Sequence, residues 1–417
     1  MNEYLVLTPT RRDSTDDEHQ SQNLFTEVAA CAGWLGGVCR DRGSGLPAAS
    51  TKTGRLKKNY RAAAIGSTGH GGFGHQMDLA LQGIPGVELV AVADNNPAGL
   101  QAAGKRTGVD RLYHDYRKMF DKEKIDLVSI GPRHAELHEE LVVACANAGK
   151  HIYCEKPLAT DLASTDRMIE ACDSAGVKLA VAVSNRASLA IAKARAMVAA
   201  GRIGKLLRIR ANGKDDRRGG GEDLMVLGYH MLDLMCLFAG NPQWVFAQVL
   251  EGDREVTAND GHPATEPIGP VAGDCVAAMF GFPDQVHGYL ESHRGPPGGR
   301  DRFCVEIYGS EGIITARSIC DVMWLRSPVF NPARETRWQP ISTHEWDAIA
   351  HKDLWCRRQQ VLDLLQAAEE DREPDASGKQ LRWVQEMIQG VYASQLVRAR
   401  VSLPLKQRKH PLEVGKR

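Results

Sequence analysis

Gly69, Gly71 and Gly74 are spaced as G-x-G-x-x-G three residues after Gly66, and an aspartate, Asp94, stands 20 residues beyond Gly74. Glycines at these intervals let the backbone turn sharply and approach an anion without a Cβ in the way. A helix opening there would turn its free N–H groups and a partial positive charge toward a pyrophosphate. An acid about 20 residues on is placed to accept hydrogen bonds from the hydroxyls of an adenosine ribose. The glycine spacing alone is equally compatible with an ordinary tight turn. A second cluster, Glu155-Lys156-Pro157, follows another short apolar run and brings a lysine to a strand end.

These groups need elements to hold them, and the chain supplies the alternation. Residues 61–65 read as a buried strand before the glycines, and a helix-like stretch with Met77, Leu79, Ala80 and Leu81 follows them before Gly83 and Pro85. Residues 87–93 form a second strand ending at Asp94, and residues 125–130 a third ending at Gly131-Pro132. A helix over 135–148 closes at Gly149, residues 151–154 are a strand, and a helix reaching Ala175 precedes a strand over 177–183. Strand and helix alternating at this interval predict a parallel sheet covered on both faces. Ligands bind beyond the carboxyl ends of such strands. Gly66, Asp94, Gly131 and Glu155-Lys156-Pro157 all fall there. With strand before, helix after and acid at the end, the dinucleotide reading displaces the tight turn.

The 417 residues exceed one ordinary domain, and the second half changes pattern. Residues 205–210, 244–250, 275–280, 286–291 and 303–308 read as strands, most of them alternating and separated by Gly/Pro turns. Helical periodicity returns over 354–368 and 381–398. With 52 basic against 52 acidic side chains, nothing suggests a nucleic-acid surface. The ten cysteines form no C-x-x-C pair, which argues against structural zinc and against a disulfide framework. No metal site is expected. No apolar run approaches the roughly 20 residues that cross a bilayer. Arg11-Arg12 has the look of an export signal, but Asp13, the acids at 16–18 and Glu27 speak against it. Residues 1–58 are therefore expected to be a disordered or loosely attached extension, and the cytoplasm is the expected location.

Glu155-Lys156-Pro157 after its short strand, preceded by Ala148-Gly149-Lys150-His151, resembles the Gfo/Idh/MocA oxidoreductases. Val92-Ala93-Asp94, Gly201-Arg202-Ile203-Gly204 and Ile307-Tyr308-Gly309-Ser310-Glu311-Gly312 extend the likeness over residues 60–405. The resemblance implies an α/β chain: a doubly wound Rossmann domain over 59–184, then an α/β domain over 185–405 with a large open, mainly antiparallel sheet. A solvated basic tail would occupy 406–417. It also implies hydride transfer between NAD(P) and a sugar, cyclitol or related polyol, and a homo-oligomer, dimer or tetramer. Lys156 would contact the substrate oxygen and the cofactor, and Gly66, Gly69, Gly71, Gly74, Asp94, Gly131, Pro132, His138 and Glu155 would bind the cofactor. His230, within Gly228-Tyr229-His230-Met231-Leu232-Asp233, would take the proton; Asp233 and Arg186, beside Asn185, would stand near the substrate.

The chain departs from the pattern at one point. Many members carry an aspartate four residues before the histidine, on the same helix face, and here Val226 stands instead. Glu222 or Asp223 is the expected replacement. Two other activities stay open beside hydride transfer: NAD-dependent glycoside hydrolysis, and a non-catalytic NAD(P)-binding regulator. For the cofactor, Asp94 repels a 2′-phosphate and Asn95-Asn96 offer no arginine, so NAD is expected over NADP.

Overall fold

The computed structural model describes residues 55–295, 303–316, 322–326, 338–341 and 344–414. The extension expected at 1–58 lies outside these residues except at its end. There the chain is anchored: Leu56 is buried in one cluster with Tyr60 and Ile84, and the Lys57 N–H donates to Glu369 at 2.8 Å.

The nucleotide-side sheet has six parallel strands in the order Leu112–Tyr113, Val87–Ala93, Tyr60–Ile65, Leu127–Ile130, His151–Cys154, Leu179–Val181. That order reverses direction at the Tyr60–Ile65 strand, the point where a doubly wound sheet opens a crevice beyond its strand ends. Strands such as Leu127–Ile130 are buried along their whole length, as a sheet covered on both faces requires. The covering helices begin where capping chemistry dictates. Asn96 accepts from the Gly99 N–H ahead of Pro97–Thr107, and Asp161 from the Ser164 N–H ahead of Leu162–Ala175.

One expected helix is missing from its place. After Gly74 the chain makes consecutive turns and only a 3-10 turn at Leu79–Leu81. Gln76 has φ of 64°, a left-handed conformation through which an α-helix cannot run. Met77 and Leu81 are buried all the same. The helix Lys352–Glu370 completes the layer, although the sequence reading gave it to the second domain. Its Val361, Leu364 and Leu365 join Ala62, Leu81 and Tyr153 in one core. Gln360 Nε2 donates to the carbonyls of Val181 and Val183 at 3.3 and 3.0 Å.

The second sheet runs Gln339–Pro340, Val322–Arg326, Gly312–Ala316, Cys304–Gly309, Leu206–Asn212, His287–His293, Cys275–Gly281, Trp244–Glu251, Val401–Ser402. Every pairing along that path is antiparallel except Leu206–Asn212 with His287–His293. Trp244–Glu251 alternates buried and exposed residues, the signature of a sheet with one covered face. Helices Gly228–Ala239 and Gly378–Val397 pack on the covered side, while Phe246 and Tyr289 remain exposed. The expected solvated tail is instead docked. Leu412 is fully buried, and Arg408 donates to Asp166 and to the buried Glu386. Its basic residues misled the reading because acids on two helices were waiting for one of them. No helix among the described residues is long and apolar enough to cross a membrane.

Candidate active site

The glycine loop is held shut at its base. Ser67 and Gly72 exchange N–H···O bonds of 3.1 and 3.0 Å, pinching off Thr68 to Gly71. Gly71 has φ of +87°, and a Cβ there would lie 2.6 Å from the Arg133 backbone nitrogen. At Gly74 a Cβ would come within 2.5 Å of both Glu155 Oε2 and the Gly131 carbonyl. The loop thus lies directly against the ends of two neighbouring strands, an approach only glycine permits. Beside it a cavity of about 280 Å³ is bordered by Gly66, Asp94, Asn95, His114 and Leu141. Asp94 is buried, and its oxygens accept from the Thr68 hydroxyl at 2.8 Å and the Asn96 N–H at 2.9 Å. A glycine cradle, a cavity and a strand-end acid fit the adenosine and pyrophosphate of a dinucleotide.

Beyond the strand His151–Cys154 a second cleft, of about 320 Å³, takes in Lys156, His230, His75, Asn185, Arg218 and Arg357. Lys156 is buried, the peptide to Pro157 is cis, and its ammonium donates to the Val226 carbonyl at 3.2 Å. Where the resemblance expects a carboxylate, the main chain of the same position holds the lysine. Burial drives the Lys156 pKa below the usual lysine range, against the pull of Glu155 and Glu266. His230 enters the cleft from the helix Gly228–Ala239. Burial, then the charges of Lys156 and His75, push its pKa down to about 3. The ring is therefore neutral near pH 7, and its Nδ1 has no partner among the described residues.

Glu155 anchors this corner. It accepts from the His75 backbone at 3.1 Å, and its Oε2 lies 2.9 Å from His75 Nδ1. Burial would raise its carboxyl, but His75 and Lys156 outweigh that and hold it down at about 2. His75 is a cleft residue that the sequence reading passed over. It directly follows Gly74, so a place at the edge of the glycine loop was legible for it. Arg218 and Arg357 carried no comparable local signal.

Several expected site residues stand elsewhere. Glu222 accepts from Thr265, and Asp223 from the Lys214 N–H at 2.8 Å and the Ser292 hydroxyl at 2.9 Å. Both are committed to holding loops, so neither supplies the carboxylate missing at Val226. Arg186 and Asp233 do not reach the cleft. Arg186 Nε donates to both Asp233 oxygens at 2.8 and 3.0 Å in a buried ion pair. His138 is fully buried, with its ring nitrogens 3.1 Å from the Leu158 carbonyl and 2.7 Å from that of Pro132. It clips the Gly131-Pro132 turn to the chain after Pro157 rather than meeting a ligand. Gly131 lies under the glycine loop, as expected of a strand end.

Residues 62–183 match the family model described as an oxidoreductase family with an NAD-binding Rossmann fold, and residues 191–315 match the GFO/IDH/MocA C-terminal domain. The chain belongs to the Gfo/Idh/MocA oxidoreductases. Within this family, myo-inositol 2-dehydrogenase of Thermotoga maritima is 29% identical over 256 residues, 61% of this chain and 75% of that protein. Levoglucosan dehydrogenase of Pseudarthrobacter phenanthrenivorans is 28% identical over 54% of this chain and 63% of its own length. A solved levoglucosan dehydrogenase with NADH and levoglucosan superposes with a TM-score of 0.68 at 22% identity, covering 84% of this chain and all of that one. That last likeness is one of fold. It agrees with a Gfo/Idh/MocA chain built of a parallel Rossmann sheet and a second, mainly antiparallel one.

Proposed function

We propose that this protein is an NAD-dependent dehydrogenase of a sugar, cyclitol or related polyol, with Lys156 and His230 as the residues that manage the substrate proton. The observation that carries the reading is their shared cleft: Lys156 at a Rossmann strand end and His230 on a helix of the second half. The names of the Thermotoga and Pseudarthrobacter relatives support the substrate class.

NAD⁺, held by the glycine loop and Asp94, would supply the hydride acceptor for turning a secondary alcohol into a carbonyl, with NADH and a proton as the other products. The chain's own groups deal with the rest. The Lys156 ammonium, steadied by the Val226 carbonyl, donates a hydrogen bond to the substrate oxygen. The hydroxyl proton leaves by way of the neutral His230 ring, which relays it rather than holding it, since a pKa of about 3 lies far below the operating pH. Glu155, fixed by His75, keeps a negative charge beside Lys156 that opposes the downward pull of burial on the lysine pKa. Asn185, buried at the cleft wall, is offered as a hydrogen-bond partner for further hydroxyls.

The open sheet face, with Phe246 and Tyr289 exposed, supports a homo-oligomer formed through that face. A panel of polyols and keto-sugars, scored by appearance or loss of NADH absorbance, tests the activity. Release of free sugar from an aryl glycoside without net NADH would favour the hydrolase instead.

A further inference from the structure

The substrate cleft is more cationic than a neutral polyol requires. Lys156, Arg133, Arg218 and Arg357 line it together with Glu155, Glu266 and Asp353. Two of these carboxylates are already taken. Glu155 is bound by His75, and Glu266 lies 3.2 Å from Arg133 Nη2. Asp353 is exposed, with the Ser184 hydroxyl at 3.4 Å.

Arg218 and Arg357 are left over. Arg357 is only 8% exposed, yet its Nε has no hydrogen-bond partner, and no carboxylate pairs with it among the described residues. Arg218 Nε is likewise buried and unpartnered. A buried guanidinium without an anion is costly, because its solvation is lost and nothing replaces it. Arg357 meets that condition, and Arg218, half-buried and within reach of the Asp216 charge, brings a second guanidinium to the same cleft, so an anion is the group that fits there. Both line the cleft that holds the reacting corner, where the Arg218 charge acts on Lys156 and the Arg357 charge on His230. Val226 removes the one carboxylate that the resemblance would have added there, which leaves the excess positive charge uncancelled.

We propose that the natural substrate is an anionic sugar, one whose carboxylate or phosphate is held by Arg218 and Arg357 while a neighbouring hydroxyl faces Lys156 and His230. This rests on the dehydrogenase reading for the reacting hydroxyl, but the anion subsite is measurable by binding alone. Arginine suits either group, since its fork of N–H donors matches two oxygens at once.

The test is calorimetric titration of the NAD⁺-loaded protein with D-glucose, D-glucuronate and D-glucose 6-phosphate, repeated in the galactose series. At least one acid is expected to bind about 10- to 100-fold more tightly than its neutral parent, the worth of one charge-assisted hydrogen-bonded pair. The two acid arms separate carboxylate from phosphate. Arg218→Gln and Arg357→Gln should each bring the acid-to-neutral ratio toward one, and added salt should lower it. Arg357→Lys keeps the charge and should retain part of the preference, which guards against lost folding as the cause. Neutral parents that bind as tightly as the acids, or no binding by any member, overturn the inference. So does a ratio unmoved in Arg218→Gln and Arg357→Gln. NADH formed from neutral polyols without acid preference removes this inference and leaves the dehydrogenase standing. An acid bound with no NADH formed removes the dehydrogenase reading instead.

Discussion

Asp233→Ala separates two views of the Arg186–Asp233 pair, because a substrate-contact role and a structural role respond differently to it. Both side chains are almost wholly inaccessible, at 4% and 0%. Arg186 Nε reaches both carboxylate oxygens, and its Nη1 donates to the Asp375 carbonyl at 2.8 Å. Removing the carboxylate strands a buried guanidinium, which costs about 3–5 kcal/mol. The surviving bond to Asp375 argues for the lower part of that range. For a domain of this size each kcal/mol moves the melting midpoint by about 2–4 °C, so a fall of about 6–20 °C is expected. Removing both charges, Arg186→Leu with Asp233→Leu, should recover much of the loss, because no uncompensated charge remains. Circular dichroism melts of the single and double variants measure this. Steady-state kinetics at low temperature on the folded fraction should give a KM close to that of the parent. A midpoint within about 2 °C of the parent, coupled with a KM raised several-fold, would refute the structural reading and return Asp233 to the substrate.

Lys156→Ala and His230→Ala should each lower kcat by about 10²–10⁴-fold while calorimetric NAD affinity stays within error; full activity in either ends the assignment. The pH profile follows from the depressed pKa values. The Lys156 bond to the substrate oxygen is strong only while the amine carries its charge, so kcat/KM should fall on the alkaline side with a midpoint below 10.5. His230 stays neutral well below the ordinary histidine value, so it should contribute no acid limb near about 6.5, and a limb there that vanishes in His230→Gln would contradict its burial. NAD(H) should bind more tightly than NADP(H), since the Asp94 side chain borders the cavity that fits the adenosine ribose; calorimetry giving equal affinities removes the claim. Deleting residues 1–58 should lower stability by about 1–3 kcal/mol relative to deleting 1–54, because only the longer cut takes the buried Leu56; equal denaturant midpoints would deny Leu56 that role.

What could be read in the sequence was local. The strand His151–Cys154 and the end of Leu162–Ala175 before Gly176 follow from apolar runs and a stop signal lying side by side in the chain. Lys156 was found for the same reason, as a strand-end residue beside a proline. The helix after Gly74 failed because periodicity at Met77 and Leu81 reports burial, not conformation, and Gln76 turned left-handed beneath it. Arg186, Asp233 and His138 looked like site residues because polar groups in motifs attract that reading. Their partners, 47 residues away for Arg186 and at the Pro132 and Leu158 carbonyls for His138, are tertiary facts. Arg357 belongs to a helix that returns late in the chain, so nothing near Lys156 announced it.

That late return has a consequence for synthesis. The apolar face of the Rossmann sheet around Ala62, Leu81 and Tyr153 is closed by Val361, Leu364 and Leu365, which leave the ribosome long after the last strand of that sheet. The nascent nucleotide domain therefore waits, incompletely roofed, while all of the second sheet but its last strand is made, and a fragment ending near residue 184 should be insoluble unless the helix Lys352–Glu370 is supplied with it. Such a chain is two domains in shape but one unit of inheritance. Its halves cannot be exchanged with those of another protein at the obvious boundary, because the first half keeps its roof inside the second.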